Sequence, residues 1–161
     1  MKWLAGLMLI ILFASCNNGG ADTAALQTRI DSLQKQLAGS YRPGLGEFMA
    51  GIQLHHEKLW FAGQAQNWKL ADFEIHEIME ALDDIKVYAS DRPEVKSLPM
   101  IMAPVDSMNN AIAKKDPVLF KSAYMLLTNT CNNCHRATQH EFNVIKTPTV
   151  PPVSDQEFEL K

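Results

Sequence analysis

The sequence predicts an all-α protein: a four-helix bundle preceded by a signal segment and a short helical stalk, and followed by an extended tail. Three observations carry this expectation. Apolar residues recur at spacings of three and four in four consecutive segments after residue 46, the period of helices with one buried face. No segment shows the strict apolar–polar alternation of a half-buried strand. The chain has 161 residues, 47% of them hydrophobic and 20% charged, which suits one domain with a real core.

Residues 1–15 read as a signal segment. Lys2 gives a basic start, an apolar run follows from Leu4 to Phe13, and Phe13-Ala14-Ser15-Cys16 closes it. The run is about half of the ~20 apolar residues that span a bilayer. A small-residue pair followed by cysteine resembles the lipobox of bacterial lipoproteins. That resemblance implies a lipidated Cys16 as the first residue of the mature chain, and a membrane anchor in the cell envelope with the main domain periplasmic. An uncleaved anchor, or an ordinary secretory signal beside an unrelated cysteine, is the alternative.

Residues 16–45 are expected to form a tether and a helical stalk. Asn17 to Asp22 is short, polar and glycine-containing. Leu26, Ile30, Leu33 and Leu37 then form a heptad seam. The seam covers fewer than the three to four heptads of a convincing coiled coil. It therefore predicts a stalk packed on its own domain, with self-association into a homo-oligomer as the second reading. Gly39, Pro43, Gly44 and Gly46 break the helix before the main domain.

The main domain is expected over residues 46–141. Its first helix runs from Glu47 to about Phe61. The second runs from about Trp68 to Ala89, with Phe73, Ile75, Ile78, Met79, Leu82 and Ile85 on a buried face. The third spans about Glu94 to Lys115 through Leu98, Ile101, Met102, Val105, Met108 and Ile112. Pro99 and Pro104 predict a kink or a late start there. Asp116-Pro117 is an N-cap followed by proline at the first helical position. The fourth helix carries Leu119, Phe120, Ala123, Tyr124 and Leu127 onward to residue 131. Residues 142–161 form a tail in which Pro148, Pro151 and Pro152 favour extended structure. Phe142, Val144 and Ile145 are too apolar for a free end and are expected to pack against the bundle or an edge of a bound group.

The chemistry sits at Cys131-Asn132-Asn133-Cys134-His135. The C-x-x-C-H pattern is the attachment motif of c-type haem. Each thiol adds across one of the two vinyl groups, and a two-residue gap matches their separation. The histidine after the second cysteine then lies under the iron as its axial ligand. Cys131, Cys134 and His135 are therefore the expected sites for one covalent haem c. A redox disulfide calls for a strand–helix–strand context, which the pattern lacks. A zinc site needs four ligands, and beyond His140 no second pair of cysteines exists. The three cysteines are all spent: one on the lipobox and two on the motif.

The second axial position is read from the first helix. At about 100° per residue from Phe48, His56 falls near 80° and Met49 near 100°, inside the stripe of Ile52 and Leu59. His55 falls near 340°, at its edge, and is expected to face out. His56 is thus the leading candidate for the second iron ligand. Met49 and an open or water-filled position are the others. Trp60 and Trp68 are read as core packing first and as walls of a haem pocket second.

Four helices ending in C-x-x-C-H resemble the class II cytochromes, the cytochrome c′ family. The resemblance covers residues 47–135, and its specific element is Cys131, Cys134 and His135. It implies an antiparallel bundle with haem between the helices and His135 on the proximal side, often with an open, gas-binding distal face. An inward-facing His56 and the 26 residues after the motif depart from the family pattern.

The expected function is a membrane-tethered, monohaem electron carrier with a redox partner protein in the cell envelope. The alternative is a module that binds nitric oxide or carbon monoxide. Enzymatic activity is the lesser expectation: a peroxidase needs an open iron and a distal base, and His56 standing off the iron is the only candidate. The chain carries a formal net charge of −3. It therefore lacks the basic excess of a nucleic-acid binder.

Overall fold

The computed structural model describes residues 19–159. The expectations for residues 1–15, Cys16 and Asn17 lie outside that range. The chain divides into two compact units at Arg42–Pro43. The first contains helix α1 (Gly19–Ala38), so residues 19–22, expected in the tether, are the first turn of the stalk helix. Its seam residues Leu26, Ile30, Leu33 and Leu37 are all exposed.

The second unit contains α2 (Leu45–Gln64), α3 (Trp68–Tyr88), a 3-10 turn over Pro93–Ser97, α4 (Pro99–Ala113) and α5 (Pro117–Ala137). The described residues are all-helical, with no strand. Three-residue connections join α2 to α3 and α4 to α5, so each pair is an antiparallel hairpin. Contacts between α3 and α4 and between α2 and α5 close the four helices into a bundle. No described helix is long and apolar enough to cross a membrane.

The helix ends follow from local chemistry. Asp116 caps α5 by accepting from the amides of Val118 (2.8 Å) and Leu119 (3.0 Å), with Pro117 at the first turn. Asn67 caps α3 through the Leu70 amide at 3.2 Å. The expected late start of the third helix is the observed one: the 3-10 turn precedes Pro99, and α4 begins at that proline. Pro104 sits buried inside α4.

Three helices end in the same device without a glycine. Gln66, Lys115 and Gln139 have φ of 53°, 53° and 63°, in the left-handed region. The following amide reaches back to close the turn: Asn67 to the Ala62 carbonyl (2.9 Å), Asp116 to Ala111 (3.2 Å) and His140 to His135 (2.7 Å). These are Schellman motifs, which satisfy carbonyls left open at a helix end.

The core is apolar except at a few points. Ile75, Ile78, Leu82 and Ile85 of α3 are buried, with Val105, Met108 and Ile112 of α4 and Phe120, Tyr124 and Leu127 of α5. Two positions on α3 depart from the expected face. Phe73 is 52% exposed, while its neighbour Glu74 is fully buried. Glu74 is held there by His55, whose Nδ1 lies 2.6 Å from the carboxylate. His55 therefore turns toward α3 and is half-buried instead of facing out. A hydrogen-bonding partner across the helix pair decided this, and apolar spacing alone could not show it.

The tail is anchored differently from expectation. Phe142 and Val144 are 80% and 70% exposed. The anchor is Phe158, which is buried against Phe61 at 5.7 Å between ring centroids and whose carbonyl accepts from Asn67 Nδ2 at 3.2 Å. Of the three apolar residues named for packing, Ile145 is partly buried and reaches the cavity described next.

Candidate functional site

A cavity of about 350 Å³ opens at one end of the bundle. That is within the range of cofactor and ligand pockets, roughly 300–1,000 Å³. Its walls are mostly apolar: Ile52 from α2, Ile78 and Leu82 from α3, Ile101 from α4 and Leu127 from α5. Cys131, Cys134 and His135 line it together, so the motif faces the hollow. Met49 and His56 line it from α2. Trp60 and Trp68 do not. Trp60 lies tilted on Tyr124 at 4.8 Å and Trp68 meets Phe120 edge-on at 6.0 Å, both as packing of the opposite end.

The last turns of α5 bring the two cysteines to this wall, because residues three apart share a helix face. Both are free thiols. Burial, and then the neighbouring Cys134, push the Cys131 thiol up to about 12. Burial also raises Cys134. Both are neutral at ordinary pH.

His135 stands at the end of the helix with one ring nitrogen engaged. Its Nδ1 lies 2.6 Å from the carbonyl of Asn143. A carbonyl can only accept, so Nδ1 carries a proton, and in the neutral tautomer that this bond selects the lone pair is on Nε2. Nε2 makes no hydrogen bond among the described residues. The acceptor comes from the tail, whose position is held by Asn132. The Asn132 side chain donates to the Ile145 carbonyl and accepts from the Ile145 amide, each at 2.8 Å.

His56 is different. It is 3% exposed. Its Nε2 lies 2.9 Å from Thr128 Oγ1 and its Nδ1 3.0 Å from the Tyr124 hydroxyl. The Thr128 hydroxyl donates to the Tyr124 carbonyl at 2.9 Å, so it accepts from His56 Nε2–H. The single Tyr124 O–H proton is shared between Nδ1 and the His56 carbonyl, both 3.0 Å from the oxygen. The two rings stack at 4.5 Å. Burial lowers the His56 pKa to about 4, so the ring is neutral. Burial raises Tyr124 above its ordinary value. Both His56 nitrogens are thus spent on the protein, and binding anything else would cost one of these bonds. The partners Tyr124 and Thr128 are one helical turn apart on α5. That spacing was the available signal, but nothing in the sequence aligns this turn with His56.

The mouth of the cavity is polar. Arg92, Glu94 and His140 line it. Arg92 pairs with Glu94 at 2.9 Å, and His140 approaches the same carboxylate at 4.0 Å. One oxygen of Glu94 is buried without a partner. The rim thus carries one cation, Arg92, already paired with the Glu94 carboxylate. No group of three or more His, Cys, Asp or Glu side chains converges as a metal site among the described residues.

No protein-family model, curated protein or solved structure matches this chain.

Proposed function

We propose that this chain is a lipid-anchored monohaem c-type cytochrome that transfers electrons in the bacterial cell envelope. The observation that carries the reading is the placement of Cys131, Cys134 and His135 on one wall of the 350 Å³ apolar cavity. Two thiols at the motif spacing and an imidazole with Nε2 unspent are the donor set that haem c requires. A porphyrin brings four nitrogens of its own. The protein then needs to supply only one or two more ligands.

In this reading Cys131 and Cys134 would hold the group by thioethers and His135 Nε2 would be a ligand to its iron. Ile78, Leu82, Ile101 and Leu127 line the cavity and would exclude water. Arg92 and His140, at the polar mouth, would be the donors available to carboxylates of the bound group. When bound, the haem supplies one-electron chemistry at iron. The chain's own part is to orient the ring, dry the site and tune the proximal imidazole. Lipidated Cys16 would keep the domain at a membrane, where redox partners are reached by short-range encounter.

His56 was the leading candidate for the second ligand. Its engagement with Tyr124 and Thr128 assigns it a packing role in this proposal and moves ligation to Met49, on the same wall. Met/His ligation is an electron-transfer arrangement. The same observation favours one second reading. If Met49 also stands off, the distal face is open, and the module binds small gases as the class II resemblance implies.

Spectra decide among these. Acid–acetone should leave the colour with the protein, and the pyridine haemochrome should report thioether-linked haem. Extractable colour overturns the haem c reading. A low-spin ferrous spectrum unchanged by carbon monoxide supports the carrier. A high-spin spectrum with rapid carbon monoxide binding supports the gas module.

A further inference from the structure

We infer that Asn132 and the tail segment 143–145 form a clasp that positions His135 and strengthens it as a ligand. Asn132 is one of the two unspecified residues of the C-x-x-C-H motif, where many side chains satisfy the spacing. Here it holds both backbone groups of Ile145 at 2.8 Å, as a neighbouring strand would. Ile145 is partly buried at the cavity. Two residues earlier, the Asn143 carbonyl accepts from His135 Nδ1 at 2.6 Å.

The chain between helix and clasp is fixed as well. The His140 amide closes the helix end on the His135 carbonyl at 2.7 Å, and the Asn143 amide closes the next turn on the His140 carbonyl at 2.9 Å. The segment from His135 to Ile145 is thus tied at both ends, with the carbonyl held against the ring. Without the clasp, the exposed Phe142 and Val144 would leave little apolar contact to keep it there.

The consequence is chemical. A carbonyl bonded to Nδ1–H orients the ring, fixes the tautomer and makes Nε2 a stronger donor. A stronger donor favours the ferric state over the ferrous. Asn132 and Ile145 touch no reacting atom, so both are positioning residues. This inference rests on the haem c reading.

The test uses the full-length holoprotein, with covalent haem verified first. In Asn132→Ala the reduction potential should rise, shifting the ferric–ferrous equilibrium about tenfold, or 59 mV for one electron. Where the iron is five-coordinate, the iron–histidine stretch should fall in resonance Raman. Ile145→Pro removes the Ile145 N–H, one of the two clasp bonds, and leaves the motif untouched, so it should move both readouts in the same direction by a smaller amount even if Asn132 variants mature poorly. Asn132→Asp keeps one of the two clasp bonds and should fall between. The Ile145 amide should also be protected from hydrogen exchange in wild type and not in Asn132→Ala. A holoprotein whose potential is unmoved by both Asn132→Ala and Ile145→Pro overturns the clasp while leaving the haem reading intact. A protein that never attaches haem overturns the haem reading, and the inference falls with it.

Discussion

The two ends of the bundle use the same four helices and are filled in opposite ways. At one end Phe120, Tyr124, Trp60, Trp68 and Phe61 fill the space between helices, and Phe158 returns from the tail to close it. There is no room to spare: a Cβ on Gly63 would stand 2.0 Å from the Phe120 ring. At the other end, where α2 begins and α5 finishes, the same helices leave a cavity of about 350 Å³. Protein interiors are normally packed like crystals. The hollow end is the exception to that rule in this bundle. His56, Tyr124 and Thr128 form the boundary, a hydrogen-bonded floor between the filled end and the hollow one.

The two histidines on the cavity wall sharpen this contrast. His56 gives both nitrogens to the floor. His135 gives one to the tail and keeps the other. On the proposed reading the first would be a structural side chain and the second, beside two free thiols, the one that meets the ligand.

The largest effect should come from the hollow end. Replacing Cys131 and Cys134 together with Ala should abolish covalent retention of haem, read by acid–acetone extraction. The thermal midpoint should fall too, since a group bound only by the folded state stabilises that state. Equal midpoints for the loaded and unloaded proteins would mean that the hollow end needs nothing to fill it.

The next prediction divides the histidines. His135→Ala should change the absorption spectrum of the ferrous protein by removing the proximal ligand. His56→Ala should leave the spin state unchanged and cost about 2–4 kcal/mol in denaturant unfolding, by leaving a cavity and breaking two buried hydrogen bonds. A conversion from low-spin to high-spin in His56→Ala would make His56 a ligand and dissolve the contrast.

The floor should also be acid-sensitive. The His56 pKa is about 4 in the folded state, against about 6.5 unfolded. The unfolded chain therefore takes up the proton first. The folded state keeps its full stability above about pH 6.5 and loses it as pH falls toward 4, by about 3 kcal/mol. Unfolding free energies at pH 7 and pH 4.5 should show this loss, and His56→Gln should remove most of it. An equal loss in the variant would place the acid sensitivity elsewhere.

The smallest effects compare one added methyl at each end of α2. Gly63→Ala should cost about 1–3 kcal/mol, because the fully buried Phe120 must move. At Gly51, nothing lies within 4 Å of an added Cβ. Gly51→Ala should stabilise by about 0.5–1 kcal/mol through helix propensity. Thermal melts of the pair check both signs.

Much of this was legible in the residues. The helical period placed four segments within a few residues of α2 to α5, because one buried stripe repeats at 3.6. Asp116-Pro117 marked the start of α5, because cap chemistry is local. The spacing argument put His56 inward. What escaped were features set by partners distant in sequence or by unusual backbone. Glu74 displaced Phe73 from the buried face because His55 on another helix meets it. Phe158 became the tail anchor because Phe61 and Asn67 lie beneath it. Gln66, Lys115 and Gln139 turn helices without the glycine that usually announces such a turn.

The sequence by itself determined the helical class, the starts of α3 and α5 and the C-x-x-C-H spacing, because each depends on spacing or on contacts within a few residues. Tertiary structure alone decided how the two histidines differ. Tyr124 and Thr128 reach His56 across 68 and 72 residues of chain, and the Asn143 carbonyl reaches His135 only where the tail folds back on α5. No local pattern encodes which nitrogen stays free, since that is settled by which donors and acceptors the packed helices bring within 3 Å of each ring.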